Sequence, residues 1–357
     1  VQGGFSLALV VMGLTSGIVG GWINRHGGRR AMMAGCWCGA AGCAVLATTH
    51  GVVQYFLGWL LLGCGMRLAL YDAAFATLAH LGGAASKRAM SQLTLFGGFA
   101  STAFWPLGQF LMQHIGWRGA LWVYAALLLL TSALHLAIPA RVADGPLQTP
   151  PRPLAGQVAD TASIHWDADK WLFGFIAAAV MFMQIGLAAH FIELLRGADW
   201  DAATAVALAS VFGVGQFSGR AWVVAWGWRI DAVKLNLVPA SLLCGCFVLY
   251  LLAGSTLIGA GVFAFFYGTG NGIATVTRGA MPLLLFDAGS YGRIVGGILK
   301  PAFMLSAAAP IAFALSIGWW GHEATVALAL VLAVALLGAS IALQRRFAAR
   351  VPITTGD

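Results

Sequence analysis

Eleven long apolar runs occupy most of the chain, and they constrain its fold more than any other feature. They cover approximately residues 3–23, 31–48, 52–80, 90–114, 116–138, 171–192, 202–224, 235–253, 256–286, 294–317 and 324–343. Each run is long enough to cross a hydrocarbon core, which takes about 20 helical residues. Helix is the expected element because a backbone in lipid must satisfy its own hydrogen bonds, and the runs lack the alternation of barrel strands. The composition, 60% hydrophobic and only 9% charged, excludes an ordinary soluble domain. The sequence therefore predicts an all-α membrane protein with eleven transmembrane helices.

Basic residues are distributed unequally between alternate loops. One side of the predicted membrane has only Arg118 and Arg196. The other side collects Arg25, Arg29, Arg30, Lys87, Arg88, Arg141, Arg152, Lys170, Arg229, Lys234, Arg293, Arg345, Arg346 and Arg350. By the positive-inside rule this second side is cytoplasmic, and it includes the C-terminus. The six cysteines lie within apolar runs without a metal-ligand pattern, so we expect neither a metal nor a cofactor.

An internal repeat divides the chain into two similar parts. The segment 63–75 and the segment 268–280 each begin with Gly-x-Gly, and the segments 11–22 and 211–222 are also alike. We therefore predict an N-terminal bundle at 1–138, a cytoplasmic linker at 139–170 and a C-terminal bundle at 171–357. The second bundle has six runs and the first has five. The counterpart of 171–192 would precede residue 1, so we expect a complete protein of twelve helices whose first helix is absent from this sequence.

The first hydrophilic break, GGWINRHGGRR at 20–30, carries the most specific motif. It resembles the G-x-x-x-D-R-x-G-x-R-R loop of the Major Facilitator Superfamily, and a degenerate copy, GWRID, occurs at 227–231. The segment 268–297 is similar to bacterial permeases of the cyanate and monocarboxylate porter groups. The resemblance implies the superfamily fold of two six-helix bundles, transport by alternating access and a bacterial inner membrane location. It also implies a gating role for Gly20, Asn24, Arg25, Gly27, Arg29 and Arg30. Asn24 stands where the motif has Asp, so a charge-based latch there should be weaker or differently made.

Ionisable residues within the apolar runs are the best candidates for function, because a charge at membrane depth is costly. They are Arg67, Asp72, Arg220, Arg278 and Lys300. On a continuous helix Arg67 and Tyr71 share a face, so we expect both to line a substrate cavity. Asp72 is rotated away from them. It either takes a coupling proton or pairs with a motif arginine such as Arg29, and the pairing is favoured.

A second polar stripe lies in the corresponding run of the other bundle. Tyr267, Asn271, Thr275 and Arg278 recur at spacings of four, four and three, which places them on one helical face. We assign Tyr267 and Arg278 to a cavity or gate. For Asn271 and Thr275, cavity lining and packing between helices remain equal alternatives.

The remaining candidates lie singly on other helices. Gln184 is a candidate for substrate binding, and Lys300 for contact with substrate or a carboxylate. His190, beside Glu193, is either an interfacial histidine or a proton carrier. Arg220, among several tryptophans near the inner surface, either extends to the lipid headgroups or contributes to gating.

The intramembrane charges favour an anionic substrate, since four are positive and one is negative. We therefore predict a secondary transporter of a small organic anion or oxyanion, coupled to protons and acting as a monomer. The alternatives are a drug or metabolite efflux antiporter and a sensor on the same fold that no longer transports. No catalytic motif lies at membrane depth, so we expect no enzyme, and the scattered basic residues do not favour nucleic-acid binding.

Overall fold

The computed structural model describes residues 2–139, 166–196, 202–286 and 291–350, and this part of the chain contains helices, turns and no strand. The helices are α1 (Gln2–His26), α2 (Gly28–Ala47), α3 (Val52–Ala69), α4 (Tyr71–Gly82), α5 (Lys87–Leu134), α6 (Ala168–Arg196), α7 (Ala202–Ala225), α8 (Ala232–Leu235), α9 (Leu237–Ala253), α10 (Leu257–Ala280), α11 (Pro282–Leu285) and α12 (Tyr291–Ala348). The predicted all-α fold class is confirmed. The predicted linker lies almost wholly outside the described residues.

The number of membrane spans differs from the number of helices, because some helices contain a kink between two spans. Eight helical stretches of the described chain are long and apolar enough to cross a membrane. One of them, α12, contains two spans because Gly321 has a non-helical backbone (φ 82°), and Gly116 divides α5 in the same way. Adding the second span of α12, the first part of α5 and the whole of α7 gives eleven. This number agrees with the prediction.

The buried core shows how the two halves of the sequence meet. We call residues 2–139 the first half and residues 166–350 the second half. The largest cluster of buried apolar side chains belongs entirely to the second half. A second cluster combines Met12 and Phe75 of the first half with Met181, Leu299 and Phe303 of the second. The halves are therefore in direct apolar contact through α1, α4, α6 and α12.

A backbone contact between α1 and α12 is the tightest junction of the two halves. A Cβ added to Gly20 would collide with the Gly292 carbonyl, and a Cβ on Gly292 would lie 2.6 Å from the Gly20 carbonyl oxygen. Only glycine permits so close an approach of two helices. The contact lies beside the arginine-rich loop 24–30, and we call that end of the molecule the basic side.

Candidate functional site

A cavity of about 660 Å³ lies between the two halves and is lined by residues of both. Its wall is mostly apolar. The polar side chains on the wall are Tyr71, Asp72, Gln184, Arg220, Thr275 and Arg278. A small number of polar groups on an apolar wall is the usual composition of a small-molecule site.

The helical span that carries Tyr71 and Asp72 is broken at Leu70, whose ψ of −168° is extended. The Leu70 N–H still bonds to the Met66 carbonyl, and α4 begins at Tyr71. Because the extended residue interrupts the helical rotation, Arg67 before the break and Tyr71 after it point in different directions. Tyr71 and Asp72 line the cavity and Arg67 does not. The expectation that Arg67 and Tyr71 share the cavity wall was wrong because it assumed a continuous helix.

Arg67 is directed away from the cavity, toward α1. Its Nε donates to Ser16 Oγ (3.1 Å) and its Nη2 donates to the Ser16 carbonyl (3.2 Å). The side chain is buried, and its third nitrogen, Nη1, has no hydrogen-bond partner in the described chain. Its charge still interacts with those of Asp72 and Arg278. Arg67 therefore supplies positive potential from behind the wall without contacting the cavity space.

Asp72 pairs with Arg278 across the two halves. Oδ1 of Asp72 lies 3.5 Å from Nη2 of Arg278, and both side chains are largely buried. Arg278 Nε is buried without a partner among the described residues. The structure thus gives Asp72 a partner on α10 in place of the motif arginine favoured from the sequence. The pair is a single, rather long contact that leaves donors of Arg278 available.

Arg220 is the second guanidinium on the cavity wall. Its side chain is only 5% exposed, its Nε has no hydrogen-bond partner in the described residues, and its charge interacts with the Tyr71 phenol. The Nη1 atom lies against Gly98 of α5, where an added Cβ would be 2.9 Å away. Arg220 is therefore buried between the halves, which contradicts the alternative that it extends to the lipid headgroups and leaves the gating role as a prediction. The reason is its position on the face of α7 that packs on α5.

The stripe on α10 divides into core and cavity residues. Tyr267 is fully buried among aromatic rings, and its hydroxyl donates to the Met183 carbonyl (3.1 Å). Asn271 donates to the Tyr267 carbonyl one turn earlier (2.8 Å) and is also buried. Only Thr275 and Arg278 reach the cavity. For Tyr267 and Asn271 the structure therefore supports packing and not cavity lining, because the Tyr267 hydroxyl and the Asn271 side-chain N–H already donate to backbone carbonyls.

Three predicted residues on α6 and α12 have different surroundings. Gln184 lines the cavity, as expected. Lys300 is exposed and lies off the cavity wall, since its position on α12 faces outward. His190 is buried behind the wall, where its ring contacts Glu193 and the carbonyl of the wall residue Pro310.

The motif loop contacts the second half through Asn24. Its Oδ1 accepts a hydrogen bond from the Gly292 N–H (3.1 Å), beside the Gly20 contact. Gly27 ends α1 with φ 77°, and α2 begins at the next residue. Arg25, Arg29 and Arg30 form no ion pair with another described residue. The contact between the halves at this loop is therefore a neutral hydrogen bond and not a salt bridge.

Three residues that the sequence did not single out belong to the site or its closure. Ser16 holds Arg67, and Tyr291 is buried near the Asp72–Arg278 pair with its hydroxyl bonded to the Gly279 carbonyl (2.8 Å). Lys87, at the start of α5, donates to the carbonyls of Gly227 (3.2 Å) and Ile230. Ser16 and Tyr291 could have been found as polar residues at the same depth as Arg67 and Arg278. No sequence signal marks the carbonyls that Lys87 binds.

The cavity is closed at the basic side. There Gly20 meets Gly292, and Lys87 of the first half binds the loop after α7. The far part of the cavity wall includes Phe5, near the start of α1, and Pro310, which lies in α12 between Gly292 and the kink at Gly321. The structure therefore has its two halves joined at one side of a central cavity.

Comparison with known proteins identifies the fold. A family model of the Major Facilitator Superfamily matches residues 2–299. The chain belongs to this superfamily. The superfamily consists of membrane transporters, which are not enzymes, and the chain is accordingly a multi-pass membrane protein.

Two curated relatives are monocarboxylate transporters. The chain is 29% identical over 234 residues to monocarboxylate transporter 13 of Bos taurus, covering 64% of this chain and 52% of the relative. It is 27% identical over 304 residues to monocarboxylate transporter 11 of Mus musculus, covering 82% of this chain and 63% of the relative. The chain thus spans less than two thirds of the length of either relative.

Two solved structures share the fold at low sequence identity. The human organic anion transporter MFSD10 (TETRAN) superposes with a TM-score of 0.73 at 17% identity, covering 95% of this chain and 83% of that one. The E. coli fucose:proton symporter FucP (N162A) gives a TM-score of 0.70 at 15% identity, covering 97% and 90%. The fold predicted from the motif loop and the internal repeat is confirmed.

Proposed function

We propose that this protein is a secondary active transporter of a small organic anion, coupled to protons and working by alternating access. The observation that carries the proposal is Arg220, a buried residue on the cavity wall whose Nε has no hydrogen-bond partner in the described chain. A buried cation left unpaired is costly, and a bound carboxylate or oxyanion offsets that cost. The substrate anion supplies the acceptors that Arg220 lacks.

The charge balance of the cavity supports an anion over a cation. Arg220 and Arg278 lie on the wall, Arg67 lies behind it, and Asp72 is the one carboxylate among the described wall residues. These four groups sum to a net charge of +2. In surroundings that are mostly apolar, this potential attracts anions and disfavours cations.

Asp72 is the proposed proton acceptor. In its ionised form it holds one nitrogen of Arg278 at 3.5 Å. When Asp72 takes up a proton the ion pair is lost, and Arg278 is then available to a substrate carboxylate. Proton and anion therefore bind in a mutually favourable way, which is the requirement for symport.

Closure at the basic side provides the gate. The proposed gate consists of the motif loop, with Gly20, Asn24, Arg25, Gly27, Arg29 and Arg30, and of the Lys87 contact. When these contacts separate, the cavity opens toward the arginine-rich loops. The positive-inside rule makes that side cytoplasmic, so we propose an inner-membrane protein with its C-terminus and central linker inside and its cavity facing outward in this conformation.

The relatives support the substrate class by their names. Monocarboxylates are the substrates named for both curated relatives, and an organic anion is named for one of the structural relatives. A proton is the coupling ion named for the fucose symporter. The arginines on the cavity wall of this chain make the same substrate class chemically reasonable.

An efflux antiporter for apolar compounds is the second candidate. The largely apolar wall, including Phe5, Trp59 and Phe303, favours this alternative. Such a substrate would be held by the apolar surface area that it buries against the wall, and it would not need the arginines. A sensor that does not transport remains the third alternative from the sequence, and saturable uptake excludes it.

Uptake by proteoliposomes distinguishes the candidates. The purified full chain is reconstituted and offered radiolabelled short-chain monocarboxylates, dicarboxylates, a neutral sugar and a cationic dye, with and without an imposed pH gradient. We expect saturable uptake of a carboxylate that an acidic exterior accelerates and that Arg220→Ala abolishes. Arg345→Ala, at the exposed end of α12, is the matched control and retains uptake. Transport of the dye with equal rates in wild type and Arg220→Ala would establish the efflux candidate instead.

A further inference from the structure

His190 on α6 forms a hydrogen-bonded link from water to the cavity wall. Its Nδ1 lies 2.8 Å from Oε2 of Glu193, and its Nε2 lies 2.8 Å from the carbonyl oxygen of Pro310 on α12. The imidazole is buried, with 8% of its side chain exposed, whereas the Glu193 side chain is 59% exposed. Pro310 lines the cavity, and so does Ala189, the neighbour of His190.

The two acceptors fix how many protons this group holds. A carbonyl oxygen only accepts, so Nε2 of His190 must carry a hydrogen to bond with Pro310. An ionised carboxylate also only accepts, so Nδ1 must carry a hydrogen as well, unless the Glu193 carboxyl itself is protonated and donates to Nδ1. A flipped ring would turn carbon atoms toward both acceptors and lose both bonds. In either remaining form, His190 and Glu193 together hold one proton more than a neutral imidazole and a carboxylate do.

Loss of that proton is incompatible with the observed contacts. A neutral ring has one N–H, so it donates either to Glu193 or to Pro310 and presents a lone pair to the other oxygen. An oxygen facing a buried lone pair without a hydrogen is unfavourable, and one of the two contacts must separate. If the ring stays with Glu193, the link between α6 and α12 at Pro310 is the contact that is lost.

Other titratable groups near this end of the molecule are bonded elsewhere. Tyr250 of α9 donates to the Leu194 carbonyl on α6 (3.0 Å), and the charge of Glu323 on α12 acts on its hydroxyl. Tyr267 of α10 donates to the Met183 carbonyl. In the part of the chain that the structure describes, the His190 ring has no hydrogen-bond partner besides Glu193 and Pro310. The extra proton is therefore a property of this pair.

We propose that His190 and Glu193 form a proton-binding site, separate from Asp72, that holds α6 against α12 at Pro310 and makes the cavity wall sensitive to pH. Glu193 exchanges the proton with water, and His190 transmits its presence to the wall. With the proton bound, the wall is fixed as observed. Without it, one of the two contacts is lost, and when the ring stays with Glu193 the link between α6 and Pro310 opens. The effect on uptake rests on the proposed transport function, whereas the proton site does not.

The proton site is tested directly by ¹⁵N-histidine NMR of the reconstituted full chain between pH 5 and 9. Subtracting the spectrum of His190→Gln isolates the His190 resonances from those of the other seven histidines. We expect both ring nitrogens to report N–H bonds in acid, one of them to lose its proton as the pH rises, and Glu193→Gln to shift that transition. A ring that keeps one N–H and one tautomer over the whole range, in wild type and Glu193→Gln alike, would overturn the proposal.

Uptake measured over the same pH range tests the consequence for the wall. We expect Glu193→Gln and His190→Gln to remove the same component of the pH dependence, and the double variant to remove no more. The control is His114→Gln, an exposed histidine whose ring bonds to the Phe110 carbonyl of its own helix. Separate, additive effects of the two substitutions would contradict a shared proton. A protein that titrates at His190 but transports no anion would refute the proposed function and leave the proton site standing.

Discussion

Asp72 and Arg278, 206 positions apart in the sequence, meet on the wall of the central cavity with Oδ1 and Nη2 3.5 Å apart. One belongs to the first half of the chain and the other to the second. The pair therefore joins the two halves of the chain by an ion pair on the cavity wall.

Asp72→Asn separates anion binding from proton coupling. The amide keeps the shape of the carboxyl but cannot exchange a proton, so we expect substrate exchange across the membrane to continue while accumulation driven by a pH gradient is lost. Counterflow and gradient-driven uptake are measured in the same liposomes. Gradient-driven accumulation at the wild-type level in Asp72→Asn would assign the coupling proton to another group.

Arg278→Ala removes the partner of Asp72 and leaves a buried carboxylate without an ion pair. We expect uptake to fall to background, because Asp72 then repels the anion and is itself destabilised. In the double variant Asp72→Asn/Arg278→Ala the folded protein recovers thermal stability but not uptake. Restored uptake in the double variant would show that Arg278 serves only to neutralise Asp72.

Arg220→Lys tests whether Arg220 binds the substrate carboxylate through two parallel hydrogen bonds or only through its positive charge. A lysine keeps the charge but cannot bind a carboxylate with two parallel hydrogen bonds, so we expect about a 10- to 100-fold rise in the apparent KM. Arg220→Ala should be inactive. Substrate titrations of initial rate supply the KM values, and equal KM values for Arg220→Lys and wild type would exclude a bidentate contact.

Gly20→Ala places a methyl group in the α1–α12 contact. Because the added Cβ collides with the Gly292 carbonyl, we expect the closure at the basic side to weaken and the population open toward that side to rise. A cysteine introduced at Thr275, on the cavity wall, and tested for modification from each face of the membrane measures the shift. Gly17→Ala is the matched control on the same helix, since a Cβ there has no neighbour within 4 Å.

Asp169→Asn tests the junction between the start of α6 and the end of α12. The buried carboxylate of Asp169 accepts from Arg346 Nε (2.7 Å) and pairs with Arg350. We expect the thermal unfolding midpoint to fall, by the equivalent of about 1–3 kcal/mol for lost charge-assisted bonds, with the KM unchanged. Glu323→Gln, an exposed carboxylate, should leave the midpoint unchanged.

The helices were predictable from the sequence, whereas the partners of the polar residues were not. Apolar runs placed nearly every span, because length and hydropathy alone decide whether a helix crosses a membrane. The break at Leu70 carries neither Gly nor Pro, so nothing in the sequence indicated that Arg67 and Tyr71 would diverge. The pairing of Asp72 with Arg278 depends on how two distant helices pack, and sequence periodicity describes only one helix at a time. Arg220 illustrates the same limit, since its neighbour Gly98 belongs to another helix.

The contact of Gly20 with Gly292 has a consequence for water inside the protein. Two backbones in direct contact leave no space for a water molecule between them, and a continuous file of waters along this seam is excluded while it stays shut. Water therefore has no path between α1 and α12 at the point where these two residues touch. The helices can close this tightly because neither Gly20 nor Gly292 carries a Cβ.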